Sequence, residues 1–318
     1  MALRISSLGS WICLGIIGTL MIGCSLVKTP QHNLLKEYRK KSKIQETLLV
    51  REEEKQGKSP ELGAEGYERL GDQYLMQGEV DMAFIQYQKA LRRDPSRNHI
   101  RYKLGHLFLQ KELTEEAKRE FEEVLKRDGD HPFAQEGIGR IYFKQANWDE
   151  AGKSFRRAIE LRNNLWQAHH FLAMTYDHQG EPGLATRHYQ LAIALKPTSS
   201  MLYNNLGVSL LLVDNYEEAV SAFTEALALD NSNKKIHNNL GLALSKLKRY
   251  PEAYEAFRRG GDEVSAYYNM GNIYMRDGKY EEAIKAFEKV IEARPKADPA
   301  IHKSLERARV AVSIQPPE

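Results

Sequence analysis

The chain has 318 residues, of which 28% are charged and 42% hydrophobic, and its formal net charge is +3. That is ample for a folded body, and a modest charge with both signs interleaved and no dense basic tract excludes a nucleic-acid binder. The 11 prolines and 22 glycines fall mostly at regularly spaced turns, so they punctuate structure and do not signal disorder.

At the N-terminus Arg4 precedes an apolar run from Leu8 to Gly23. At 16 residues the run is short for a stable span and reads as an export signal over residues 1–23. It ends Met21-Ile22-Gly23-Cys24-Ser25. These residues resemble the lipobox of bacterial lipoproteins. The resemblance implies that Cys24 is lipidated, becomes the first residue of the mature chain and anchors it to a membrane. Ser25 stands where an aspartate favours inner-membrane retention in Gram-negative lipoproteins, which implies an outer-membrane anchor facing the periplasm. An uncleaved transmembrane anchor is the alternative. Cys13, the other cysteine, leaves with the signal, so the mature chain has no disulfide.

Residues 24–60 read as a tether. Leu34, Leu35, Tyr38, Ile44, Leu48 and Leu49 allow an amphipathic helix within it, and its basic residues would rest on anionic lipid or cap the first repeat of the folded body. Gly57-Lys58-Ser59 lacks the glycine-spaced turn and preceding strand of a phosphate loop.

From residue 64 the chain repeats. Gly71, Gly105, Gly139, Ala173, Gly207 and Gly241 are spaced by 34 residues, and Gly271 comes after 30. Ala83, Ala117, Ala151, Ala185, Ala219, Ala253 and Ala283 keep step, each followed four residues later by Tyr87, Phe121, Phe155, Tyr189, Phe223, Phe257 or Phe287. Spacings of three and four put each set on one helix face. The small residues let two helices approach, and the aromatic fills the space around the contact. A hairpin with one sticky side cannot bury it alone and must stack. This period and pattern resemble the tetratricopeptide repeat. The implied fold is all-α: a superhelical solenoid of seven helix-turn-helix repeats over residues 64–97, 98–131, 132–165, 166–199, 200–233, 234–263 and 264–297, with a capping helix at 298–313.

Thr114 reads as an N-cap within the second repeat. The fourth repeat carries His169, His170, His178 and His188, which read as surface or groove residues because no cysteine or convergent set completes a metal site. The sixth lacks four residues, about one helical turn, and ends its second helix at Gly260, where Ala90 or Ala226 sits in other repeats. That predicts either a local change in superhelix angle or a simple tightened turn.

No catalytic motif or convergent Ser/His/Asp set is present, and no cofactor or metal is expected. In the repeat family the first helices line a concave groove. That phase assigns Asn204, Asn205 and Leu212 to it in repeat five, Asn238, Asn239 and Leu242 in repeat six, and Asn269, Asn272, Met275 and Arg276 in repeat seven. Asn205, Asn239 and Asn269 share one phase, so they predict either an amide ladder for the backbone of an extended peptide or bonds between neighbouring repeats. Tyr102, Lys103, His106, Arg140 and Lys144 form a second patch, basic and aromatic, suited to an acidic segment or to packing between helices. The whole chain resembles exported tetratricopeptide lipoproteins, among them pilotin-like and TadD-like pilus assembly proteins and adaptors for peptidoglycan enzymes. The resemblance implies a membrane-anchored scaffold for an envelope protein.

Overall fold

The computed structural model describes residues 62–295 and 299–314, together with Lys40. Cys24, the signal segment and the rest of the tether lie outside the described residues. All regular structure among the described residues is helical. The helices are α1 (Ala64–Met76), α2 (Val80–Arg93), α3 (Asn98–Gln110), α4 (Thr114–Arg127), α5 (Pro132–Lys144), α6 (Trp148–Leu161), α7 (Trp166–Gln179) and α8 (Pro182–Leu195). Next come α9 (Ser200–Leu212), α10 (Tyr216–Leu229), α11 (Lys234–Lys246), α12 (Tyr250–Gly260), α13 (Glu263–Arg276), α14 (Tyr280–Ala293) and α15 (Pro299–Ile314). None of these is long and apolar enough to cross a membrane.

The chain divides into two compact units at Glu120/Phe121. In the first, Ala83, Phe84, Tyr87, Ile100, Leu104 and Phe108 are buried, and the Phe84 and Phe108 rings meet edge to face at 5.4 Å. In the second, Phe155, Tyr189, Phe223, Phe257 and Phe287 are buried one per hairpin. These rings determine where glycine stands. A Cβ built on Gly71, Gly139, Gly207, Gly241 or Gly271 would lie 2.6 to 2.8 Å from the aromatic four residues past the paired alanine. No real Cβ sits that close, so a larger residue would force the hairpin open. The last helix, α15, buries Leu305 and Ala308 beside Ala283 and Phe287, covering the open end of the second unit.

Each hairpin turns through one left-handed residue, at Gly78, Glu112, Ala146, Gly180, Asp214, Lys248 and Gly278, with φ from 56 to 81°. Only three of the seven are glycines. The N–H of the residue after each turn reaches back to a carbonyl five positions earlier, as in Asn147 to Tyr142 and Lys279 to Tyr274. These bonds satisfy the helix-end carbonyls and hold the turn whichever residue occupies it. Thr114 is the first residue of α4 and not its cap. Leu113 precedes it, buried, and accepts from the Ala117 N–H at 3.0 Å.

The sixth repeat shows what its missing residues remove. Helix α12 has 11 residues where α10 and α14 have 14. Gly260, its last residue, faces Asn238 of α11, and a Cβ there would lie 2.3 Å from the amide oxygen and 3.0 Å from the Lys234 carbonyl. Asp262 then caps α13 through the Ser265 N–H at 2.7 Å and pairs with Arg294 at 2.5 Å.

Candidate functional site

The first helices of neighbouring repeats are joined by side-chain hydrogen bonds. In the second unit these form a directed run across three repeats. Asn239 Nδ2 donates to Asn204 Oδ1 at 2.9 Å, Asn204 Nδ2 to Asn205 Oδ1 at 3.2 Å, and Asn205 Nδ2 to His170 Nε2 at 3.1 Å. His170 therefore accepts at Nε2 and carries its proton on Nδ1. Burial, with a smaller contribution from Arg140, pushes its imidazole down to about 4, which keeps it the neutral acceptor this bond needs.

The asparagines thus engage one another, but not in the same-phase arrangement the sequence suggests. Partners lie 35 residues apart, Asn239 with Asn204 and Asn205 with His170, so the ladder is staggered by one position. Asn204 is buried in it. Asn238 is not part of the groove, because its side chain turns toward Gly260 between α11 and α12. Asn269 has no part in the run and lines a separate pocket of 420 Å³ with Tyr268, Arg294 and Ile301, beneath α15. Asn272 donates to its own helix at the Tyr268 carbonyl, 2.9 Å away, and Arg276 is held in a two-pronged contact by Asp277 at 2.8 and 3.1 Å. Leu212 stands exposed at 38%, with Leu242 and Met275 half-buried. Each amide of the run spends one of its two N–H groups on its neighbour and keeps the other.

The first unit shows the same stagger in charged form. Lys103 Nζ meets Glu68 at 2.8 Å, 35 residues back, and both oxygens of Asp72 at 2.7 and 2.8 Å. Burial is the largest single influence and raises both carboxylates, but the hydrogen bonds and charge of Lys103, joined by His99 at Glu68 and by Tyr87 and His99 at Asp72, together hold them below the usual range. Lys103 is therefore already neutralised and offers little to an acidic partner. Tyr102 and His106 pack edge to face at 4.7 Å. Arg140 belongs to the second unit, where it lies over Phe171 at 5.2 Å and pairs with Glu136 at 3.7 Å. Burial pushes Glu136 up to about 7 despite that arginine. Lys144 is exposed.

Two tyrosines replace phenylalanine at the packed aromatic position, and each finds a carboxylate. Tyr87 donates to Asp72 at 2.5 Å, and Tyr189 to Asp177 Oδ2 at 2.8 Å. Ser209 Oγ donates to Asp177 Oδ1, also at 2.8 Å. Burial nevertheless pushes Asp177 up to about 6, against both hydrogen bonds. The sequence signal for these acids was the tyrosine itself, since a phenol placed in a core needs an acceptor. The histidines of repeat four are absorbed in similar ways. His169 and His188 share a contact of 3.1 Å, and His178 stacks on Trp148 at 4.1 Å. Among the described residues no group of three or more His, Cys, Asp or Glu is placed to hold a metal ion.

Residues 264–296 match one tetratricopeptide repeat family, and residues 102–165 and 204–261 match a second of the same description. Among curated proteins none matches the sequence. Among solved structures, the APC/C hetero-tetramer Cut9–Hcn1 aligns at 22% identity over 75% of this chain and 48% of that one, with a TM-score of 0.54. The chain thus spans about half the length of that relative. The pilF protein of Pseudomonas aeruginosa aligns at 17% identity over 67% of this chain and 96% of its own, with a TM-score of 0.51. YrrB, described as a tetratricopeptide protein with an unusual peptide-binding site, aligns at 17% identity over 60% of this chain and 97% of its own, at 0.50. At these identities the likeness is one of fold.

Proposed function

Because the chain carries the tetratricopeptide fold, a stack of helix-turn-helix repeats that mediates protein–protein interaction, we propose that it is a membrane-anchored scaffold in the cell envelope. In this reading it holds an extended segment of a partner protein during assembly of a pilus or secretion complex. The observation that carries the binding role is the hydrogen-bonded run Asn239–Asn204–Asn205–His170. It fixes three first helices side by side before any ligand arrives, so little ordering remains to oppose association. The unspent amide N–H groups of the half-buried Asn205 and Asn239 offer donors to peptide carbonyls, and Leu212 and Leu242 offer apolar contact on the same helices. The anchor rests on the lipobox-like residues ending in Cys24, and the assembly role on the resemblance of the sequence to exported tetratricopeptide lipoproteins. Recruitment of peptidoglycan enzymes is the second reading, since the same strip would serve it.

The test has two arms. Cells fed labelled palmitate should label the wild-type chain and not Cys24→Ser; equal labelling removes the anchor. Crosslinking in membranes should capture an envelope protein that Leu212→Glu, an exposed change that spares the core, captures at least about tenfold less, given about 1.4 kcal/mol per decade. A pilus or secretion component among the captured proteins supports the first reading, a hydrolase or synthase the second. Undiminished capture by Leu212→Glu removes the strip from binding.

A further inference from the structure

Beside the strip, a small pocket of 130 Å³ is lined by Met174, Asp177, His178, Tyr189, Asn205 and Val208. Drug-sized ligands occupy cavities of roughly 300 Å³ or more, so this one has room for a side chain. Its chemistry is divided. Met174, Val208 and the Tyr189 ring offer an apolar wall. Asp177 offers a carboxylate whose oxygens each accept one hydrogen bond, from Tyr189 and from Ser209, and each has a further lone pair. No lysine or arginine of the described residues pairs with it, whereas Asp72, the corresponding acid beneath Tyr87, is paired with Lys103. Burying a carboxylate without a cation is costly, and a partner that brings the cation recovers that cost.

We infer that the Asp177 pocket receives the side chain of a lysine carried by the partner segment, its methylene stem against Met174, Val208 and Tyr189 and its ammonium on the carboxylate. The inference rests on the strip being the peptide-binding face. It makes Asp177 the specificity-determining residue of that face, while the amide run reads only backbone. Arginine is the poorer fit, because a planar fork needs both carboxylate oxygens in one plane and Tyr189 and Ser209 already hold one direction on each.

The probe is a pool of acetylated, amidated heptapeptides with a central lysine and randomised uncharged flanks, compared with the same pool carrying norleucine at the centre. The pools are titrated against the full-length protein by fluorescence anisotropy. The lysine pool should bind at least tenfold more tightly, and Asp177→Asn, which keeps an acceptor for Tyr189, should bring the two pools within twofold of each other. Circular dichroism and an unchanged affinity for the norleucine pool would show that the variant is folded. Equal affinities of the two pools for wild type overturn the pocket and leave the strip standing. Loss of both pools with Asp177→Asn also overturns it, because the acid would then be structural. If neither pool binds wild type, the strip itself fails, and the pocket with it.

Discussion

Gly260 and Asn238 are understood only as a pair. At the same position other second helices carry Ala90, Ala158, Ala192 or Ala226, all buried, so alanine is the residue the packing ordinarily takes. In repeat six the Asn238 side chain occupies that space, and any Cβ on residue 260 would strike it. Gly260→Ala should therefore destabilise the protein by about 1–3 kcal/mol, the usual cost of overpacking. In an Asn238→Ala background the same change should cost less, to within about 1 kcal/mol of neutral, because the helix preference of alanine over glycine offsets the contact with the Lys234 carbonyl that remains. Denaturant melts of the four proteins form a double-mutant cycle, and additive effects would show that the two residues do not share the space. The residue scale also shows what single positions conceal. That glycine stands in place of alanine is visible in the sequence, but the residue that excludes the methyl group sits 22 positions earlier and is visible only in the fold.

The element scale belongs to the hairpin turn. Seven turns use the same left-handed geometry; three fill it with side chains that do not prefer it, Glu112, Ala146 and Lys248, and one with Asp214, which tolerates it better. Left-handed geometry costs an L-residue roughly 1 kcal/mol. Alanine has no side-chain hydrogen bond with which to offset that, so Ala146→Gly should raise stability by about 0.5–1 kcal/mol even though glycine loosens the unfolded chain. Thermal melting would show a small upward shift; a downward shift would mean that the turn is not strained. Helix positions were legible in the sequence because the period arises from a steric need, a small residue under the aromatic ring, glycine in most hairpins and Ala173 under Tyr189, which recurs wherever the hairpin recurs. The stagger between first helices was not legible. It depends on how one hairpin packs on the next, which the period of a single chain does not record, and the bonded partners lie 35 residues apart where the period is 34.

At the scale of the molecule, ionisable groups are unevenly distributed. From His131 to His188, five imidazoles are held below their ordinary range, chiefly by burial, with His170 and His188 at about 4. A histidine depressed in the folded state contributes stability that is present above about 6.5 and lost as the pH falls toward its folded value. Asp177 and Glu136, raised by burial to about 6 and about 7, oppose this, gaining protons in the folded state over the same window. The two acids and the two most depressed imidazoles, His170 and His188, shift by comparable amounts in opposite senses, and His131, His169 and His178 tip the balance toward a net loss. Glu68 and Asp72 in the first unit are depressed carboxylates, and their contribution is lost only at lower pH. At pH 5, hydrogen exchange corrected for its intrinsic rate should therefore lose protection first in α5 to α8. Loss beginning in α1 and α2 would contradict this assignment.

The 35-residue bond has one more consequence, for how such a chain can lengthen or shorten. Three junctions between first helices each have their own pairing: a lysine with a glutamate, an asparagine with a histidine, an asparagine with another asparagine. Junctions are therefore not interchangeable, and gain or loss of a repeat is filtered by the chemistry of its new neighbours as well as by length. Removing residues 200–233 would keep the period and set Asn239 against His170, which repeats the pairing that Asn205 already makes. Removing residues 166–199 would instead bring Asn205 against Glu136, a buried carboxylate held close to its neutral form. The first excision preserves a junction the molecule already uses and the second creates one it does not, so the order of the repeats is itself constrained by the side chains that join them.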